Sequence, residues 1–564
     1  MDRGKGRSKQ TLGDSAPDFM AKWKASRSNA SLATSDTGGD LTKSGGNRDI
    51  ERTLRSRKRS GGEVKVTSGT STGYEKRQKK PGVSPPDKKP VVRASAPRIV
   101  NPSSPRSPQP VPVPIVKRLR QRLLEASADV RDLRIVAAMS RPRGFAGLAP
   151  VVEDKGGRLA ILGLDFGTAF TKAVVRCSGH HYAVDWSGAV EGEDHNLLAS
   201  AFSEASDGCC VLGANEATGW SVRAGIKLQL LSFGVTSTDG RMSDAVIFIA
   251  LAFRYVDRWL RRTNRDIDKG LRWRLHVGLP TKSWDSDATT ETFKTVAQAA
   301  RVLACMPGPV TRIAALEALR MTDQVDRPAV DVFPEFACQL YSYLLSPERK
   351  EDLHALVDIG AGTLDVAYFN VFMKDGEALL PIFASEVDRL GAHYLIAALS
   401  GAAGRPVWTD GDSSLSDEEV TRRLNCAPND VCSRRSLYLS SVAEVFNGAT
   451  LMAKRTYPTS PAFHRSENVR LFLCGGGSRI PSLKKRSERI AAEAANVMGI
   501  KFQVSELVEP HDVVGRPNSG FDRLSVAYGL SQNAANIGRV MRSATLEPIS
   551  GREVIEGTDR DADR

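Results

Sequence analysis

Apolar and polar positions fall into two regimes along this chain, and the change comes near residue 157. Beyond it, short apolar runs bounded by Gly or Asp alternate with longer stretches in which apolar residues recur every three or four positions. The runs predict strands over 158–165, 171–177, 272–278, 353–359, 364–370 and 469–474. The periodic stretches predict helices over 244–262, 289–304, 334–345, 388–399, 436–454, 481–497 and 521–537. This alternation implies an α/β architecture. The most apolar window, 245–259, is too short to cross a bilayer and carries Arg254, Asp257 and Arg258. It predicts a buried amphipathic helix, with no transmembrane segment anywhere.

Before residue 113 the pattern is absent. Residues 1–112 are rich in Ser, Gly, Pro, Lys and Arg, a composition that buries too little apolar surface to offset chain entropy, so a disordered tail is expected. Apolar positions Leu119, Leu123, Leu124, Val130 and Leu133 predict a short helix over 116–139, inside a helical linker over 113–156. The ordered core is expected to begin near Gly157. Its first lobe spans 157–352 and its second 353–540, with a closing helix that returns to the first. Residues 541–564 read as a flexible polar tail.

Charge sharpens that division. Residues 1–110 hold 24 Lys/Arg against 10 Asp/Glu, and the rest of the chain holds 55 of each. The net charge of +14 therefore sits in the tail, notably in clusters at 52–59 and 76–80. Such a tail suits a polyanion, so nucleic acid is a possible partner through residues 1–110. Eight scattered cysteines without CxxC or zinc spacing suggest reduced thiols and a cytoplasmic protein. No apolar N-terminal run suggests a signal peptide.

One pattern occurs twice. A buried strand ends at Asp165, followed by Phe166, Gly167, Thr168 and Ala169 and a second strand carrying Lys172. A second buried strand ends at Asp358-Ile359, followed by Gly360, Ala361, Gly362 and Thr363, then Leu364-Asp365. An internal duplication of this size implies two similar lobes facing each other. Gly lets the backbone turn tightly and approach a ligand, successive N–H groups form a concave anion site, and Thr hydroxyls add donors. Asp165 and Asp358 can hold Mg²⁺, which in turn bridges phosphates, and Asp365 is a third acid nearby. A Walker A loop is absent, and so is a GxGxxG opening a helix.

With these residues in hand, the sequence resembles the actin/Hsp70/sugar-kinase superfamily, and most of all the Hsp70 ATPase domain. Residues 162–175 (LGLDFGTAFTKAVV) resemble its first phosphate motif and 358–365 (DIGAGTLD) its second, D-L-G-G-G-T-x-D. Residues 474–481 (CGGGSRIP) resemble its adenosine motif, and 525–529 (SVAYG) the A-V-A-Y-G of its closing helix. The resemblance implies a two-lobed actin-like ATPase fold of duplicated ribonuclease-H-like lobes, with ATP or ADP and Mg²⁺ in the cleft. Gly475, Gly476, Gly477, Ser478 and Arg479 would hold adenosine, Arg479 packing on adenine, and Gly391 would lie near the phosphates. By position Glu335 inherits the glutamate beside the attacking water, although the family's Asn, Pro and Thr around it are missing. Lys227 is the candidate for the lysine that reaches the γ-phosphate, and His393 is expected to be structural. The chain past the closing helix is too short for the family's peptide-binding domain. The resemblance thus implies a slow Hsp70-like ATPase switch acting through a separate protein partner. A filament-forming ATPase, with oligomers, and a nucleotide-sensing scaffold with a nucleic-acid-binding tail are the alternatives.

Overall fold

The computed structural model describes residues 141–143, 148–192, 194–231, 240–264, 270–322, 330–374, 376–395, 428–458, 460–464, 468–515 and 520–542, with short pieces at 10–11, 418, 422 and 546–547. The basic tail and the helix expected over 116–139 lie outside these residues, as does most of 543–564.

Two seven-stranded sheets carry most of the described chain, beside a three-stranded and a two-stranded one, and the two large sheets share one wiring. In the first, β1 (Glu153–Asp165) forms an antiparallel hairpin with β2 (Phe170–Cys177), and β3 (His180–Ala183) continues antiparallel on β2. On the other side of β1, β4 (Leu271–Leu279) and then β5 (Val330–Pro334) run parallel to it. In the second, β6 (Leu353–Ile359) pairs antiparallel with β7 (Leu364–Asn370), and β7 with β8 (Glu377–Asp388). Across β6, β9 (Asn468–Cys474) and β10 (Lys501–Ser505) are parallel. Hairpin, outer antiparallel strand and two parallel strands thus recur in the same order. This is the duplicated, two-lobed actin-like α/β architecture expected from the sequence.

The apolar window is helix α2 (Gly240–Thr263), following the short α1 (Ile226–Leu230), and it is buried on nearly every face. Among the described residues no helix is long and apolar enough to cross a membrane. Arg254, 1% exposed at the centre of α2, donates to five main-chain carbonyls, those of Leu148, Leu303, Ala304, Met306 and Gly308. Three of these belong to the final turn and exit of the helix Asp287–Cys305, whose last carbonyls have no partner within the helix.

Several expectations need correction. The first strand begins at Glu153, so residues 153–156 belong to the sheet and not to a helical linker. The helix expected over 334–345 is two short ones, α3 (Glu335–Gln339) and α4 (Tyr341–Leu345), separated at Leu340. Residues 388–399 are not one helix: β8 runs to Asp388, 389–391 are irregular, helix covers 392–395, and 396–399 lie outside the described residues. The helix expected over 521–537 reduces to α5 (Ser525–Leu530), with single 3₁₀ turns at Phe521–Arg523 and Ala534–Asn536. That helix is short because it is wedged. A Cβ on Gly163 of β1 would stand 2.3 Å from the Ala527 carbonyl oxygen, and one on Gly529 would stand 2.0 Å from that of Cys338. Main chain therefore meets main chain on both sides of α5, against β1 and against α3.

Candidate active site

The two hairpins place their acidic ends in one cleft. Spacing within the hairpins is identical: Asp165 lies directly across from Lys172, and Asp358 directly across from Asp365, seven residues on in each case. Chemistry differs at that cross-strand position. Lys172 Nζ lies 2.6 Å from Asp165 Oδ2, an ion pair that is largely shielded from solvent. Asp365 instead sets a carboxylate opposite a carboxylate, an unfavourable neighbour for two charged groups. Burial, helped by Asp358 and Glu335, pushes the Asp365 carboxyl up to about 7, against the main-chain N–H of Thr281, which donates to Oδ2 at 2.8 Å. Its Oδ1 is buried and accepts no hydrogen bond from any described residue.

The carboxyl pKa is raised in the folded state, so its stabilising contribution is complete below about 4 and is lost as pH rises through about 7. Asp365→Asn copies the protonated form at every pH. Without ligand, the variant should melt above the wild type at pH 8, and the two should converge near pH 4; thermal melts at both values check this.

Glu335, at the start of α3, meets Lys227 of α1, whose Nζ lies 2.5 Å from Oε1. Lys227 is 4% exposed, so it is an interior partner and not a solvated lysine. Burial raises the Glu335 carboxyl, opposed by Lys227 and reinforced by Asp165 and Asp358. Burial likewise raises Asp358, with Asp165 adding to it and Lys172 and Gln339 opposing. The cleft thus gathers five carboxyl groups, those of Asp165, Glu335, Asp358, Asp365 and Asp522, against three cations, Lys172, Lys227 and Arg523, so positive charge falls short around Asp358 and Asp365.

The motif residues Gly167, Thr168, Ala169, Gly360, Ala361, Thr363, Gly475, Gly476 and Gly477 line the same cleft. Gly362, Gly391, Ser478 and Arg479 stand behind it. Gly362 abuts Thr168 and Leu228, where the two hairpin turns face each other. Gly391 packs on the Ala361 main chain, and Ala392 and His393 donate their N–H groups to Gly360 and Ala361. His393 has no place in the cleft, and burial pushes its imidazole down to about 4, which leaves it neutral. Ser478 Oγ donates to the Gly475 carbonyl. Gly475, at φ 78°, adopts a conformation that strains other residues, and a Cβ there would sit 2.2 Å from Asp358 Oδ1. Arg479 is ion-paired with Asp522, Nε to Oδ2 at 2.9 Å, so the guanidinium assigned to adenine is held at the rim by a carboxylate.

Sequence reasoning gave no site role to six lining residues: Phe170, Pro280, Gln339, Asp522, Arg523 and Val526. The Arg523 guanidinium lies 5.9 Å from the Phe170 ring centroid and flanks Gly476. Gln339 carried a legible signal, since it follows Glu335 by four positions and shares its helix face. Arg523 lies two residues before the closing-helix motif and matches nothing in it.

Among the described residues, no group of three or more His, Cys, Asp or Glu side chains could hold a metal alone. The fit to Mg²⁺ is of another kind. The charge deficit and the two unsatisfied oxygens, Asp365 Oδ1 and Gln339 Oε1, suit a cation that keeps most of its waters and shares phosphate ligands.

Comparison with solved structures finds similarity to MreB5 of Spiroplasma citri bound to ADP, at 12% identity and a TM-score of 0.37, over 67% of this chain and 95% of that one. MreB 5 of Spiroplasma citri bound to AMPPNP is similar at 13% identity and a TM-score of 0.36, with the same coverage. No family model matches the chain. No curated protein matches it either.

Proposed function

We propose that this chain binds ATP and ADP with Mg²⁺ between its lobes and hydrolyses ATP slowly, as an Hsp70-like switch. The observation that carries this reading is the meeting of the two seven-residue hairpins in one cleft, with paired and unpaired carboxylates at their ends. Thr168, Thr363 and the turn N–H groups would receive phosphate oxygens. Asp165 and Asp358 would hold the hydrated Mg²⁺, which neutralises phosphate charge when bound. Lys172 and Lys227 supply positive charge to the anion, and Glu335, once released from Lys227, can orient and accept a proton from water.

The cleft holds only about 100 Å³ of free volume, less than the roughly 300–1,000 Å³ usual for small-molecule sites. Entry of a nucleotide therefore requires the lobes to part. Contacts that span the sheets would report that movement: Lys282 Nζ lies 2.6 Å from Glu386 Oε2, Ser385 Oγ donates to Asp285 at 3.2 Å, and Thr281 N–H is bonded to Asp365 itself. Nucleotide state and lobe angle are thereby tied together, which supports a switch.

The test is titration of the full chain with fluorescently labelled ATP and ADP, with and without Mg²⁺. Saturable, Mg²⁺-strengthened binding is expected; no binding in either condition would remove the reading. Sedimentation at high protein concentration separates the two assemblies: a chain that stays in the supernatant with ATP and Mg²⁺ acts as a switch, and one that pellets only with nucleotide forms filaments. Salt-sensitive retention on DNA or RNA, if the tail is the contact, should vanish when residues 1–110 are deleted.

A further inference from the structure

Gln339 is 2% exposed and lines the floor of the cleft one helical turn after Glu335. Its amide nitrogen donates to Asp358 Oδ2 at 3.2 Å. The amide oxygen is buried and accepts nothing from any described residue. Leaving such a group unsatisfied costs on the order of 1–3 kcal/mol, so a donor belongs beside it. Asp358 Oδ2 is thus held by Gln339, while Oδ1 lies so close to Gly475 that a Cβ there would stand 2.2 Å from it.

From this geometry we propose that Gln339 is a positioning residue for the metal. It orients Asp358 through its N–H₂ and receives, on its carbonyl oxygen, a hydrogen from a water of the hydrated cation. The inference rests on the nucleotide reading above. A side chain in this role acts on the metal before the nucleotide, because its one side-chain hydrogen bond among the described residues goes to Asp358, the carboxylate assigned to the cation. The amide is suited to it: as a donor it requires Asp358 to be an acceptor, and as an acceptor it selects a hydrated ion over a bare one. A glutamate here would place a second negative charge at hydrogen-bond distance from Asp358. A methionine would fill the same volume with neither group.

The test compares the full-length wild type with Gln339→Met, and with Gln339→Leu as a second apolar variant should the first misfold. Two affinities are read: Mn²⁺ for the ADP complex, by electron paramagnetic resonance of the free ion, and labelled ADP without divalent metal. Loss of an outer-shell partner typically weakens metal binding about 10- to 100-fold, and that loss is expected for Mn²⁺. Metal-free ADP affinity should stay within about twofold, which a general disturbance of the cleft would not allow. Unchanged Mn²⁺ affinity in a folded variant overturns the proposal, and so does an equal loss of both affinities. A wild type that binds ADP in neither condition overturns the nucleotide reading, and Gln339's role with it. A wild type that binds ADP but no Mn²⁺ overturns this proposal and the metal of the reading above, and leaves the nucleotide site standing.

Discussion

Asp358→Ala should reduce Mg²⁺-dependent ATP turnover by about 10²–10³-fold, the scale seen when one preorganised electrostatic group is removed from a reacting phosphate or acyl site. Four features converge on that carboxylate. It terminates the first strand of the second hairpin, faces Asp365 across the ladder, accepts from Gln339 and leaves room for no side chain at position 475. Its loss relieves repulsion on Asp165 and Asp365 and at the same time removes the acceptor of the buried Gln339 amide, so the empty protein should stay close to wild type in stability. Loss of turnover with a retained melting temperature is thus the expected signature. Turnover that persists in the folded variant would show that the catalytic metal is held elsewhere.

Arg254→Met should cost about 3–5 kcal/mol of folding stability, because five hydrogen bonds from a charged donor are lost together, and each is worth roughly 1.5–3 kcal/mol before local rearrangement; the Leu303 and Ala304 carbonyls keep the N–H groups of Met306 and Val151. In a melting experiment the shift should be downward by about 5–10 °C. Methionine is close in length and apolar, so packing is largely kept and the lost hydrogen bonds dominate. Arg254→Lys should recover little, since an ammonium has three donors on one atom where the guanidinium fans five over a plane. An unshifted melt would mean that water or rearranged main chain replaces the guanidinium at the end of the helix Asp287–Cys305.

The part of the site written locally in the chain was legible in it. Each hairpin is a short strand, a turn and a short strand, so Asp165 and Lys172, or Asp358 and Asp365, meet through neighbouring residues alone. Elements defined by distant contacts were not. Strand β8 escaped notice because Pro381 interrupts its apolar run, and it is tolerated where the pairing with β7 shifts register near Phe369. The status of Lys227 as interior cation depends on Glu335, 108 residues away. No periodicity in the segment around Lys227 reports such a partner. Similarly, Arg479 looked available for an adenine ring until Asp522, 43 residues on, was seen to claim it. The closing helix was placed correctly at its motif and extended too far, because what limits it is main-chain contact with β1 and α3.

That wedge has a consequence for how the protein is made. Both hairpins, α1 and α3 leave the ribosome well before residues 525–530. Until α5 arrives, the main chain at Cys338 and the Gly163 face of β1 have nothing against them, and the helix bearing Glu335 and Gln339 lacks its support. The site is therefore completed only once residues 525–530 have been made. A nascent chain stalled before residue 520 would hold both hairpin turns and still lack a finished floor beneath them.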